Sequence, residues 1–479
     1  MITKNKYTNG LIQPPRKYLP FNYILLTRFF ILWLIISPLI TNAQHWQNIG
    51  GIINGASCIY EDTAENVMYI GGYFYMSGVD NIRGIAKWDG QHFISLGLDM
   101  GAEIRAITKY KGELYVGGYN IYLYGKSRYI AKFNGTTWDT LETSVNGMVW
   151  SFKEINNELY VGGGFNLADT NHVNGFAKWN GSTWSDVYNF PYFGSTNYIL
   201  SVAFYKGELY VGGNFGSYDV YDSLMDITKY DGNSWVKVGG SMHGGMSGLY
   251  NMVVYKNELY ISGAFYLQDG NVGNFIQRWN GTQWKDVGGG TLGLSGSISD
   301  NGQIRDMKIH NNELYIGGIF SYAGGVPAKY IAKWDGSKWC GLGGNFDNVI
   351  TAIGWCKDTL YVSGGFWTID GDSILRIAKW IGGSYIDTCS QSNGIPEIVN
   401  ESNISIYPNP ANISFEITTD NEQIIKEVEL YTIEGKLLKQ RSCSENKVKI
   451  NTSELPTGMY VIEVQTKEKR MFQKLIISH

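Results

Sequence analysis

The chain has 479 residues, too many for one ordinary core, and so implies several domains or a repeat architecture. It holds 60 Gly, 34 Tyr, 15 Trp and 20 Phe, while only 17% of residues are charged, a balance that excludes disorder as the main state. The formal net charge is −4, yet residues 1–43 hold five basic residues and no acidic one, so the remainder is acidic enough to exclude nucleic acid as a partner.

Residues 1–43 read as an export signal. After Arg28 an apolar run covers residues 29–40, broken only by Ser37-Pro38. A membrane-spanning helix needs about 20 residues, so the run fits the apolar region of a signal peptide, with cleavage between Ala43 and Gln44. The alternative is an uncleaved N-terminal anchor. No transmembrane segment is expected after cleavage. Export makes disulfides available. Cys58, Cys340, Cys356, Cys389 and Cys443 lack zinc-site spacing. Cys340 and Cys356, at the junction of two repeats, are the pair expected first; the alternative is that they are small buried hydrophobes.

The middle of the chain repeats. One anchor, Leu-Tyr-(Val/Ile)-(Gly/Ser)-Gly, places Tyr69, Tyr115, Tyr160, Tyr210, Tyr260, Tyr315 and Tyr361 at spacings of 46, 45, 50, 50, 55 and 46. A second follows each, near Ala-Lys-Trp-Asp/Asn-Gly-x-x-Trp, as in Trp334-Asp335-Gly336. Each repeat parses into four strands. In the fourth copy they are residues 199–205, 208–211, 227–230 and 235–238, with turns at Lys206-Gly207 and Asp231-Gly232. Four strands every 45–55 residues predict a β-propeller blade. The expected fold is all-β, a seven-bladed β-propeller over 44–390, with repeats near 55–97, 103–142, 148–187, 199–239, 248–288, 303–343 and 349–389. Two segments compete for the last strand of the ring, residues 45–51 and residues 385–389.

The copies resemble kelch-like and galactose-oxidase-like repeats, and more closely the bacterial repeat of the form LYVGGxF … IAKWDGxxW … LG. That resemblance implies a propeller and says little about activity.

Residues 391–402 are polar, with Gly394 and Pro396, and read as a linker. Short alternating runs over 403–479 predict a small Ig-like β-sandwich. Its landmarks are Tyr407-Pro408-Asn409-Pro410, Gly435-Lys436, Leu455-x-x-Gly458-x-Tyr460 and Lys474-Leu475-Ile476-Ile477. This segment resembles the C-terminal sorting domain of the type IX secretion system of Bacteroidota (Por secretion, type A). The resemblance implies Sec export, passage through the outer membrane by the type IX machinery, and a surface-attached or released product.

Chemistry is sparse. The six His stand at non-equivalent points of the repeat, and no nucleophile elbow or phosphate loop is present. The recurring aromatics are expected to pack between blades. Connectivity puts the short a–b and c–d turns on one face and the variable b–c and d–a connections on the other, where binding residues belong. Candidates there are Tyr188, Phe190, Tyr192, Phe193, Tyr218 and Tyr221, with packing over the rim as the competing role. Asp169, Asp269, Asp370 and Asp372, each in Asp-x-Asn/Asp, could offer oxygens to Ca²⁺ or simply shape turns. No other cofactor and no catalytic residue is expected. The reading is a secreted or surface-displayed binding or adhesion module for a glycan or protein. The alternative is a carbohydrate-active hydrolase or lyase, which would gather shifted carboxylates at the channel mouth.

Overall fold

The computed structural model describes residues 45–76, 82–97, 103–141, 144–192, 198–215, 226–239, 248–266, 270–293, 302–382, 404–419, 423–432, 437–467 and 470–478. Among them every regular element is a strand. Each repeat forms one antiparallel sheet. In the fourth, Tyr198–Tyr205, Glu208–Asn214, Ile227–Tyr230 and Trp235–Lys237 pair in chain order. The a–b turn works as its sequence predicts: Lys206 and Gly207 both have positive φ, 50° and 81°. The c–d corner differs from the two-residue turn expected there. Only Gly232 has positive φ, while Asp231 Oδ1 accepts the backbone N–H of Asn233 and of Ser234, each at 2.9 Å. The side chain caps the corner, as Asx turns do.

The first strands of the seven sheets touch in sequence: Cys58–Asp62, Glu103–Tyr110, Met148–Ile155, Tyr198–Tyr205, Leu249–Tyr255, Ile304–His310 and Ile350–Cys356, the last touching the first. The result is a propeller-like ring. Trp46–Asn48 completes the seventh sheet by pairing with Ile377–Trp380, Trp46 opposite Trp380. The backbone carbonyl of His45 accepts Ile381 N–H at 2.9 Å, and His45 Nδ1 lies 2.8 Å from the Gly382 carbonyl oxygen. Of the two competing segments, the N-terminal one is therefore in place; residues 385–389 lie outside the described residues.

Recurring residues hold neighbouring sheets together. A Cβ on Gly212 would come within 2.5 Å of Leu249 Cδ2 in the next sheet, and one on Gly213 would strike the carbonyl oxygen of Tyr198. The Gly-Gly pair thus admits the next sheet and the first strand of its own. Hydrogen bonds then cross each gap. Trp339 Nε1 donates to Val287 O at 2.8 Å, Tyr255 Oη to Asn312 O at 2.8 Å, and Lys206 Nζ to Asn280 O at 2.6 Å.

The C-terminal segment has two sheets: Ile404–Tyr407, Ser414–Thr419 and Lys447–Asn451 in one, and Leu437–Glu445, Ile425–Thr432, Gly458–Gln465 and Arg470–Ile477 in the other. Phe415, Ile417 and Val448 share one core with Val428, Ile462 and Leu475.

Candidate binding site

The first strand of each sheet from the second to the seventh carries a register shift near its start. The extra residues are Arg105, Trp150, Leu200, Tyr250, Arg305 and Thr351. A bulge re-aims the side chain it carries. These bulges sit where the chain arrives from the variable d–a connections, at that end of the ring of innermost strands. The residue before each bulge repeats as an aliphatic one, Ile104, Val149, Ile199, Leu249, Ile304 and Ile350; the bulged position does not repeat. Adjacent bulged side chains touch across sheets. The Arg105 guanidinium carbon lies 4.9 Å from the Trp150 ring centre, and that of Arg305 lies 5.6 Å from Tyr250. Arg105 Nη2 also donates to Glu103. The indole N–H of Trp150 and Nε–H of Arg105 are buried with no acceptor among the described residues. Asp226, buried just before the third strand of the fourth sheet, acts electrostatically on Tyr250. Burial pushes the Asp226 carboxyl up to about 7, against the pull of a backbone hydrogen bond at Phe215.

Further along the same strands is a charged cluster. Lys308 Nζ of the sixth sheet donates to Ile59 O of the first at 3.2 Å. In the seventh sheet, a Cβ on Gly354 would strike Ile59, so the first and seventh sheets meet closely there. Burial raises the carboxyls of Glu61 and Asp306, with Lys308 pulling both the other way. Asp306 Oδ2 accepts Ile353 N–H at 2.8 Å and the carboxylate also bonds the Met307 backbone, while Glu61 bonds the Trp355 backbone. Burial also pushes the Cys58 thiol up to about 12, which makes it inert as a nucleophile. The cluster braces the first, sixth and seventh sheets.

A second exposed feature lies on the b–c connections of the first two repeats. The second strands, Val67–Met76 and Glu113–Leu123, run on past Gly-Gly into extended hairpins with Arg83–Trp88 and Lys126–Phe133. Phe74, Met76, Ile121 and Leu123 face inward. Tyr73, Tyr122 and Tyr124 face out with 60%, 56% and 73% of their surface exposed. The sequence signal was the alternation Tyr73-Phe74-Tyr75-Met76 and Ile121-Tyr122-Leu123-Tyr124, which the four-strand parse passed over.

The loop aromatics expected to bind divide. Phe190 is core, 1% exposed and edge-on to Phe176 and Trp235 at 5.5 and 4.8 Å. Tyr188 stacks on Tyr230 of the next repeat at 4.2 Å, and its carbonyl accepts Trp235 Nε1–H. Packing thus takes Phe190, while Tyr188 keeps 44% of its surface exposed. Tyr192 is exposed. Phe193, Tyr218, Tyr221 and Asp269 lie outside the described residues, as do Ala43 and Gln44. Asp169 and Asp370 have φ of 55° and open two-residue turns between Leu167–Ala168 and Asn171–His172 and between Thr368–Ile369 and Asp372–Ser373. Asp370 Oδ1 accepts Asn345 N–H at 2.8 Å. These are turn roles, and among the described residues no three His, Cys, Asp or Glu side chains converge as metal ligands. The Cys340–Cys356 pairing is not formed: Cys340 is in a disulfide, while Cys356 is a free thiol beside the Asn66 carbonyl.

The sorting landmarks converge. Asn409, between Pro408 and Pro410, donates through Nδ2 to Lys474 O at 2.9 Å and accepts Ile476 N–H at 2.8 Å. Tyr460 Oη donates to Pro456 O at 2.7 Å, over the turn that leads into Gly458. Tyr407 is exposed.

Residues 405–478 match the family described as the secretion system C-terminal sorting domain. The chain thus carries a type IX sorting tail, which directs it to secretion or the cell surface. No curated protein matches it. Among solved structures it is similar to the extracellular domain of BT4673 from B. thetaiotaomicron, at 13% identity and a TM-score of 0.45, over 91% of this chain and 60% of that one. It is also similar to PorZ, an essential surface component of the type-IX secretion system of Porphyromonas gingivalis, at 13% identity and a TM-score of 0.35, over 86% of this chain and 64% of that one. A third is YCF48 from Cyanidioschyzon merolae, at 12% identity and a TM-score of 0.39, over 70% of this chain and 98% of that one. No helix among the described residues is long and apolar enough to cross a membrane.

Proposed function

We propose that this is a seven-bladed propeller, exported by its Ig-like sorting tail after a Sec signal, that binds a glycan or protein at or beyond the cell surface. The carrying observation is the pair of extended hairpins on the first two blades. Their inward faces are packed and their outward faces present Tyr73, Tyr75, Tyr119, Tyr122 and Tyr124 to solvent. Tyrosine gives broad stacking area with a polar tip and little entropy to lose, which suits sugar faces and peptides. The opposite face has no such freedom, since its turns are tied to neighbouring blades through Lys111, Lys206 and Lys256.

The raised carboxyls of Glu61 and Asp306 favour an enzyme on the same scaffold. Against it, both bond the backbone of the seventh blade, which gives each a structural role in the ring. A glycan array probed with the exported chain and with its Tyr73/Tyr122/Tyr124→Ser variant tests the binding reading. Capture by the parent and loss in the variant, with an unchanged melting temperature, is expected. Equal capture by both would move the site off the hairpins.

A further inference from the structure

The bulged positions form an ordered series around the innermost strands. From the second sheet to the sixth they read Arg105, Trp150, Leu200, Tyr250, Arg305, with Thr351 next. An apolar and aromatic arc is thus flanked at both ends by a guanidinium, each lying against its aromatic neighbour. The two ends are not equivalent. Arg105 is partly neutralised by Glu103, whereas Arg305 is exposed and has no carboxylate partner among the described residues. Beside the arc, the buried Trp150 indole N–H and Arg105 Nε–H want acceptors. A buried donor left unmade is costly, and an acceptor that reached it on a shift of the side chains would recover that cost. Among the described residues, the acid that acts on Tyr250 is Asp226, itself held toward its neutral form by burial.

We infer that this arc is a subsite for a carboxylated saccharide, with a pyranose face laid on Trp150 and Tyr250 and a carboxylate on Arg305. Three features select that chemistry. Flat aromatics match the C–H face of a sugar ring. A guanidinium offers two parallel donors to a carboxylate. Indole and guanidinium N–H groups take up ring hydroxyl oxygens. An acidic peptide would satisfy the arginines and leave the aromatic arc without a partner.

The inference rests on the binding reading and names a second place for it, so the test separates the two. Calorimetric titration of the full exported chain would use a galacturonic acid hexamer, its neutral galactose counterpart and a glutamate hexamer. The acidic sugar should bind at least about tenfold tighter than either other probe, and more weakly as salt rises. Arg305→Gln and Trp150→Ala should each weaken it about tenfold or more, and Arg305→Lys less, with melting temperatures recorded to confirm folding. The Tyr73/Tyr122/Tyr124→Ser variant should bind the hexamer as the parent does. Equal binding of the neutral sugar, preference for the glutamate hexamer, absence of hexamer binding, or full affinity in folded Arg305→Gln would each overturn the inference. Loss confined to the tyrosine variant would also overturn it, while leaving the binding reading in place.

Discussion

Asp226 sits in an environment that opposes its charged form. Its carboxyl is buried, no cation among the described residues faces it, and burial raises its pKa to about 7 from an ordinary 3.8. The folded state therefore holds a proton that the unfolded chain gives up. Stability falls wherever the native state binds more protons as pH rises, so the contribution of this group is complete below pH 4 and is lost as pH climbs toward 7. Three pKa units correspond to about 4 kcal/mol across that window. Asp226→Asn should flatten the slope. The variant should melt higher than the parent at pH 7.5 and no higher at pH 4. A parent whose melting temperature is level between pH 4 and 7, once other carboxyls are matched by the variant, would mean that Asp226 is ionised in the fold. Cys58 and Glu61 show the same rule in the ring: burial, not a catalytic partner, sets their protonation.

At the scale of the element, repetition is written in the gaps between sheets more than in the sheets themselves. Gly213 does not have a left-handed backbone; it is glycine because Tyr198 O occupies the place of a Cβ. Gly207 is the converse, with φ of 81° and open space around it. Gly213→Ala should therefore cost about 1–3 kcal/mol or more through overpacking, and Gly207→Ala about 1 kcal/mol through its turn conformation. Urea unfolding at one pH would rank them; the reverse order would mean the strand can shift to admit the methyl group. The same contrast explains what the sequence made legible. Leu-Tyr-Val-Gly-Gly and Lys-Trp-Asp-Gly recur because each copy meets the same neighbour, so strands, turns and the interblade role of the aromatics could be read directly. Phe190 could not be placed, because it lies in a connection that occurs once and packs on Phe176 and Trp235, two residues far from it in sequence. The bulged residues were hidden for another reason: a bulge breaks the two-residue alternation by which a strand is recognised. The Cys340–Cys356 pairing was misjudged because nearness in sequence says nothing about the Cα separation of roughly 4.4–6.8 Å typical of a disulfide, while the alternative of a small buried hydrophobe fits Cys356.

The whole molecule is closed from one end and addressed from the other. Trp46, fully buried against Phe346 and Trp380, belongs to a three-residue strand that completes the last sheet. The sorting sheets have a core of their own, built from Ile404 onward. These facts separate folding from routing. A chain lacking 403–479 retains every strand of the ring and should unfold in one cooperative step, with the near-ultraviolet signal of its packed tryptophans intact. In a native host it should stop in the periplasm, because the segment that matches the sorting family is gone. A chain lacking 44–50 keeps the sorting tail but exposes the edge of Ile377–Trp380 and removes a buried Trp, a loss worth about 3–5 kcal/mol by itself. Against a typical stability of roughly 5–15 kcal/mol, that chain should melt far lower and be cut by protease within the ring. The two deletions should thus fail in opposite ways, one folded and misplaced, the other open and degraded. An unfolded ring in the first would show that the ring does not fold without the tail, and an unchanged melting temperature in the second would show that closure does not depend on Trp46–Asn48. Tail-deleted protein recovered outside the cell would show that the address lies elsewhere in the chain.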